Sequence, residues 1–126
     1  MERRQVLIVD DYPGALYLRS RILSDAGYEV LEAGTGTEAL ALAKAQKPAL
    51  ILLDINLPDI SGVDVCEQLK RDPATSSIPV IQITGAWISE EARQRGLASG
   101  ASAYLVEPVD EVLLLKTVVG LIESQT

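Results

Sequence analysis

Acidic and hydroxyl side chains stand where apolar runs stop. Gln5-Val6-Leu7-Ile8-Val9 ends in Asp10-Asp11, Ala49-Leu50-Ile51-Leu52-Leu53 ends in Asp54, Pro79 to Ile83 ends in Thr84, and a short run within Ala101–Val106 ends in Glu107. Four to eight apolar residues bounded by turn signals read as strands buried on both faces. In parallel α/β sheets, ligands and chemistry collect at the carboxyl ends of such strands. Carboxylates gathered there repel one another unless a cation joins them, and a divalent ion with carboxylate and carbonyl ligands meets that need. A carboxylate beside such an ion can attack a phosphoryl group, because the metal neutralises oxygen charge on both partners. The hydroxyl of Thr84 could then hydrogen-bond a phosphoryl oxygen.

The composition narrows the chemistry further. Histidine is absent, which removes His-based acid–base catalysis, His phosphorylation and His metal ligation within the chain. With one cysteine, Cys66, a zinc site is disfavoured and no internal disulfide can form. A metal here should be a hard cation on oxygen ligands, such as Mg²⁺. The net charge of −7 disfavours direct nucleic-acid or anionic-membrane binding. No stretch has the length of a membrane span or the pattern of a secretory signal, so a reducing cytoplasm is the expected location. A length of 126 residues suits one domain, expected to cover 1–126.

The elements that must position these residues alternate regularly. After the first strand, Pro13 suits a first helical turn, and Ala15, Leu18, Ile22 and Ala26 recur at spacings of three and four up to Gly27. Tyr28 to Ala33 reads as a second strand, and about Thr37 to Gln46 as a second helix closed by Lys47-Pro48. Ser61 is a candidate N-cap for a third helix to about Arg71, placing Cys66 in the core with Val63 and Leu69. The fourth strand ends at Thr84-Gly85-Ala86. Ser89 caps a polar fourth helix, expected to be the least anchored. The last helix, about Asp110 to Glu123, has a wide apolar face of Val112, Leu115, Val119 and Ile122, flanked by Leu114, Val118 and Leu121. Its excess width leaves room for a homodimer interface. Five strand–helix repeats with right-handed crossovers give an α/β, doubly wound parallel sheet with helices on both faces.

The segments VLIVDD (Val6 to Asp11), ILLDINLPDISG (Ile51 to Gly62), VIQITG (Val80 to Gly85) and GASAYLVEP (Gly100 to Pro108) together resemble the receiver domain of bacterial two-component response regulators. The resemblance covers roughly Val6 to Ile122. It implies a flavodoxin-like, five-stranded sheet of order 2-1-3-4-5 with five helices. It implies that Asp54 is the phosphoacceptor, receiving its phosphoryl group from a histidine kinase or a phosphotransfer protein. Asp11, the Asp54 carboxylate and the Asn56 carbonyl would hold Mg²⁺, with Asp10 contacting it through water. Thr84 would be the switch hydroxyl and Tyr104 the aromatic that moves with it; Tyr104 alone would read as packing. Pro58 and Gly62 would shape the loop after the phosphoacceptor. Downstream partners would bind the face of the fourth helix, fifth strand and fifth helix. The domain would assist its own phosphorylation and dephosphorylation without being an enzyme in its own right. The loop RDPATSSIPV and the ending YLVEPV are similar to receivers at the start of hybrid sensor kinases.

One position departs from the family pattern. Glu107 stands where the family carries a lysine that pairs with the phosphoryl oxygens. Asp10, Asp11, Asp54 and a divalent ion carry a formal charge of −1, which a lysine brings to zero and Glu107 takes to −2. At an effective dielectric near 20, a unit charge about 5 Å away is worth roughly 3 kcal/mol. Tighter divalent binding and weaker phosphorylation are therefore expected. This leaves a rival function, a pseudo-receiver that docks or dimerises without useful phosphorylation. A Mg²⁺-dependent phosphatase with an Asp nucleophile is a second rival, disfavoured because Asn56 occupies the position of that mechanism's second Asp and the chain has no room for a substrate cap.

Overall fold

The computed structural model describes residues 3–85 and 89–124. Apolar runs and helical segments alternate as β1 (Gln5–Val9), α1 (Pro13–Asp25), β2 (Glu29–Ala33), α2 (Gly36–Gln46), β3 (Leu50–Asp54), α3 (Gly62–Arg71), β4 (Val80–Thr84), α4 (Glu90–Ala98), β5 (Ala103–Val106) and α5 (Glu111–Glu123). All strand pairs are parallel, in the order β2-β1-β3-β4-β5. Chain reversal at β1 puts β1 and β3 side by side at the switch point of the sheet, where their carboxyl ends open a crevice. Asp10, Asp11 and Asp54 arrive there from adjacent strands, as the sequence predicts. Ala86, expected at the turn after β4, lies outside the described residues.

Alternation along the strands divides the core in two. Leu7, Val9, Ile51, Leu53 and Val80 pack with Ala39, Ala43, Val65, Cys66 and Leu69 under α2 and α3. Val6, Ile8, Leu50, Leu52, Ile81 and Ile83 pack with Leu23, Leu114, Val118 and Ile122 under α1 and α5. Successive strand residues point to opposite faces, so each strand feeds both layers, which is why β1 and β3 read as nearly unbroken apolar runs, while β4 is interrupted by the buried Gln82.

Two helices sit in a different frame from the one that apolar spacing indicates. In α1 the fully buried positions are Arg19 and Leu23, whereas Leu18, expected on the inner face, is 59% exposed. A count of apolar residues skips a buried arginine and so selects the neighbouring stripe. In α5 the buried stripe is Leu114, Val118 and Ile122, and Val112 is 58% exposed. The helix starts differ less. Ser61 and Ser89 accept from Val63 N–H and Ala92 N–H as predicted, while α2 is capped two residues earlier than Thr37, by Thr35 accepting from Glu38 N–H. Helix α4 fully buries only Gly96 among its residues, in keeping with its polar sequence. No helix among the described residues is long and apolar enough to cross a membrane.

Candidate functional site

Asp10, Asp11, Tyr12, Ala15, Asp54, Asn56, Gly85 and Glu107 line one hollow of about 280 Å³ at the carboxyl edge of the sheet. Carboxylate oxygens of Asp10, Asp11 and Asp54 lie within 4.8 Å of one another. The all-oxygen donor set and this spacing fit a hard divalent cation such as Mg²⁺. Asp10 is nearly sealed, at 4% exposure; Asp54 is half-buried and Asp11 exposed. The three acids thus run from the protein interior to solvent.

The loop after β3 holds Asp54 in place. Gly62 N–H donates to Ile55 O at 2.8 Å, and a Cβ on Gly62 would stand 2.5 Å from Asp54 O and 2.7 Å from Ile55 Cα. Helix α3 therefore abuts the Asp54–Ile55 peptide directly, and no side chain fits between them. A few residues earlier, Asp59 accepts from Gly36 N–H, Thr37 N–H and the Thr37 hydroxyl at 2.6–2.9 Å. These bonds tie the loop to the first turn of α2 and hold the Asp59 carboxyl well below the usual range. Asn56 N–H donates to Asp54 Oδ1 at 3.2 Å. Burial pushes the Asp54 carboxyl up to about 6; the charges of Asp10 and Asp11 add to the rise, while the Asn56 N–H and the charge of Arg19 oppose it.

Arg19 is the residue that sequence reasoning missed. Its guanidinium, on a side chain only 9% exposed, donates to Asp10 Oδ2 at 2.7 Å and pairs with Glu107 through the other terminal nitrogen. Asp10 accepts a second bond, from Tyr12 N–H at 2.9 Å. The peptide between Glu107 and Pro108 is cis. The expectation that Glu107 adds an uncompensated negative charge is corrected by this pairing. Four carboxylates and one guanidinium leave the site at −3, which a divalent ion lowers to −1, one unit less negative than the tally without Arg19. The signal that could have found Arg19 is the combination of a cation on the inner stripe of the helix after Asp10-Asp11 and an acid in place of a lysine on the last strand.

Thr84 and Tyr104 lie beside the hollow. Thr84 is 3% exposed and does not line it; burial holds the Tyr104 phenol above its ordinary pKa. Tyr104 is directly opposite Gln82 in the β4–β5 register, and both reach under α4, where a Cβ on Gly96 would come within 2.6 Å of Gln82 Oε1 and 2.7 Å of the Tyr104 ring. Gln82 Nε2 donates to Ser99 Oγ at 2.8 Å, and Ser99 Oγ donates to Gly96 O. Gln82 Oε1 is buried without a hydrogen-bond partner. Gln82 and Tyr104 are thereby in contact with the fourth helix through small and polar groups. A larger hollow, about 730 Å³, opens at the far end of the sheet among Arg3, Arg4, Glu29 and Lys47, and holds none of the predicted site residues.

Comparison with known proteins agrees with this geometry. The model of the response regulator receiver domain matches residues 6–119. The chain is 41% identical over 114 residues to protein PilH of Pseudomonas aeruginosa, covering 90% of this chain and 93% of that one. It is 42% identical over 114 residues to response regulator PleD of Caulobacter vibrioides, of which it spans 25%. Among solved structures, a CheY-like receiver domain protein from Methanospirillum hungatei superposes with a TM-score of 0.91 at 33% identity, over 98% of this chain and 97% of that one.

Proposed function

Because the chain belongs to the response regulator receiver family, we propose that it is a phosphoryl-accepting switch whose acceptor is Asp54. The observation that carries this reading is the meeting of Asp10, Asp11 and Asp54 oxygens in one open hollow at the switch point of the sheet. An Asp54 carboxylate oxygen attacks the phosphorus of a phosphohistidine on a kinase or phosphotransfer protein. The P–N bond breaks, its electron pair stays on the imidazole, and an acyl phosphate remains on Asp54. Asp10, Asp11, the Asp54 carboxylate and the Asn56 carbonyl are the groups that would hold Mg²⁺, which when bound neutralises charge on the transferring oxygens. The Thr84 hydroxyl turns toward a phosphoryl oxygen and Tyr104 moves as it does so, which changes the surface of α4 and β5.

Val106, Val112 and Leu113 are exposed apolar side chains on β5 and α5, and they support a partner surface or homodimer contact on the α4–β5–α5 face. A cytoplasmic location fits a chain with one buried free cysteine. A hybrid sensor kinase as parent is supported by the loop and ending noted above. The pairing of Glu107 with Arg19 weakens the case for a silenced docking module, because the acid is compensated.

The test is intact-mass measurement after incubation with acetyl phosphate and Mg²⁺. Wild type gains one phosphoryl mass and Asp54→Ala gains none. A wild-type chain that gains nothing from either acetyl phosphate or a phosphorylated histidine donor, while binding Mg²⁺, refutes the reading and favours the docking module.

A further inference from the structure

The family position for a phosphoryl-binding cation holds an acid, yet a buried cation from another element is paired with two acids of the site. Arg19 reaches the site from the middle of α1 rather than from the end of β5. It is 7% exposed, and both of its ion-pair partners line the hollow that contains Asp54. One partner, Asp10, presents an oxygen within 4.8 Å of an Asp54 oxygen. A guanidinium has five N–H donors in a planar fork, so one that spans two carboxylates retains donors for a third acceptor. Burying a long cationic side chain in a helix is costly unless its charge is met, and here two acids from β1 and β5 meet it.

From this geometry we infer that Arg19 is the phosphoryl-binding cation of this receiver, and that Glu107 is a positioning residue that holds the guanidinium toward Asp54. The inference rests on Asp54 being the phosphoacceptor. The cation has been moved from β5 to α1, and the acid that stands in its former place has become its anchor. A guanidinium on this anchor can give two parallel donors to phosphoryl oxygens, where a lysine gives a point charge. Phosphorylation also sets up competition. A phosphoryl group that draws Arg19 loosens its hold on Glu107, so the signal reaches the start of α5 through the Glu107-Pro108 segment as well as through Thr84 and Tyr104.

The test compares wild type, Arg19→Leu, Glu107→Gln, Glu107→Lys and the double variant Arg19→Leu/Glu107→Lys. Calorimetry reads two quantities on each folded protein: the affinity for Mg²⁺ alone, and the affinity for beryllium fluoride, a phosphoryl mimic, in saturating Mg²⁺. Arg19→Leu is expected to weaken beryllium fluoride binding on the order of 10- to 100-fold, the loss of a charge-assisted contact. The same variant is expected to bind Mg²⁺ about tenfold more tightly, because a positive charge has left an acidic site. A general structural defect would weaken both. The double variant, with its cation returned to β5, is expected to recover beryllium fluoride binding to within about threefold of wild type. Glu107→Gln keeps the cation without its anchor and is expected to lose about fivefold. Wild-type beryllium fluoride affinity in folded Arg19→Leu overturns the inference. Should Arg19→Leu not fold, unchanged binding in Glu107→Gln together with no binding in a folded double variant overturns it. If wild type itself neither binds the mimic nor accepts a phosphoryl group, the receiver reading fails first and the inference falls with it. Failure of the Arg19 variants to differ from an active wild type sinks the inference alone.

Discussion

Helices α1 and α4 lie on opposite faces of the sheet that carries Asp54, and they are held in contrasting ways. On the α1 side the contacts are charged: the buried Asp10 and Arg19 and the partly exposed Glu107 form a chain of ion pairs linking β1, α1 and the end of β5. On the α4 side the contacts are neutral: a phenol, a primary amide, a serine and a bare glycine. Buried charges in low dielectric are costly to leave unpaired, so the body of α1 keeps its place even where Arg19 exchanges one anionic partner for another. Neutral hydrogen bonds are worth about 0.5–1.5 kcal/mol each and can be exchanged for others at small cost. The unpartnered Gln82 Oε1 marks the α4 side as incompletely satisfied in this conformation. A switch needs one fixed wall and one that has two arrangements of similar free energy, and the two sides divide along that line.

The largest expected disruption of this comparison comes from the floor shared by both sides. Gly62→Ala would place a Cβ against the Asp54–Ile55 backbone, which cannot rotate away. The expected cost is roughly 2–4 kcal/mol in urea melts, with Asp54 displaced enough to depress phosphorylation. Gly96→Ala tests the α4 side. Its new Cβ meets the ends of Gln82 and Tyr104, which can move, so the expected cost is lower, about 1–2 kcal/mol. Because the Tyr104 ring is pushed, partner binding should change while phosphorylation of Asp54 stays near wild type. Equal damage to both functions would show that the two sides are not separable.

A smaller effect follows from the Asp54 carboxyl, which burial raises from 3.8 to about 6. A carboxyl whose folded value lies above its unfolded one favours folding while protonated. That contribution is complete below about pH 3.8 and is lost as pH rises to about 6, so at pH 7 the charged carboxylate is a burden on stability. In metal-free buffer, Asp54→Asn should stabilise the protein at pH 7 by about 1–2 kcal/mol, allowing for its partial exposure. The gain should shrink as pH falls toward 4. Chemical melts at several pH values check this, and an Asn variant less stable than wild type at pH 7 would show that the carboxylate is already neutralised by Arg19.

The smallest effect is expected at Gln82. Replacing it with Met removes the unpartnered oxygen but also the bond to Ser99, so stability should change by less than about 1 kcal/mol. The readout is hydrogen exchange in α4, expected to quicken as the helix loses its tie to β4.

What the sequence disclosed and what it hid follow the same division. The strand ends and the acidic hollow are legible because β1 and β3 are apolar runs with Asp10, Asp11 and Asp54 at their ends, while the sheet order follows from the family resemblance. Asp59 and Gly62 stand inside a motif, but their tasks, pinning α2 and abutting a peptide, are distances that no spacing rule supplies. Arg19 was hidden for a sharper reason. Apolar periodicity scores a buried arginine as a gap, so the inner stripe of α1 was assigned through the exposed Leu18, one residue from the correct frame. On α5 the cause differs: two adjacent stripes are both apolar, so spacing alone does not separate the buried Leu114, Val118 and Ile122 from the exposed Val112. Without Arg19, Glu107 reads as a lesion in the site; with it, Glu107 reads as half of a relocated pair.

The account turns on whether phosphoryl chemistry at Asp54 moves the α4 side and leaves the α1 wall in place. Backbone amide spectra of wild type and Asp54→Ala, recorded with Mg²⁺ before and after beryllium fluoride, test this most directly. The predicted result is a set of shifts in wild type that is largest at Thr84, Tyr104 and the residues of α4, extends to Glu107, and is small along the body of α1 away from Arg19, with none in Asp54→Ala. Binding of the mimic that leaves Tyr104 and α4 unshifted, or shifts concentrated along α1, would contradict the account.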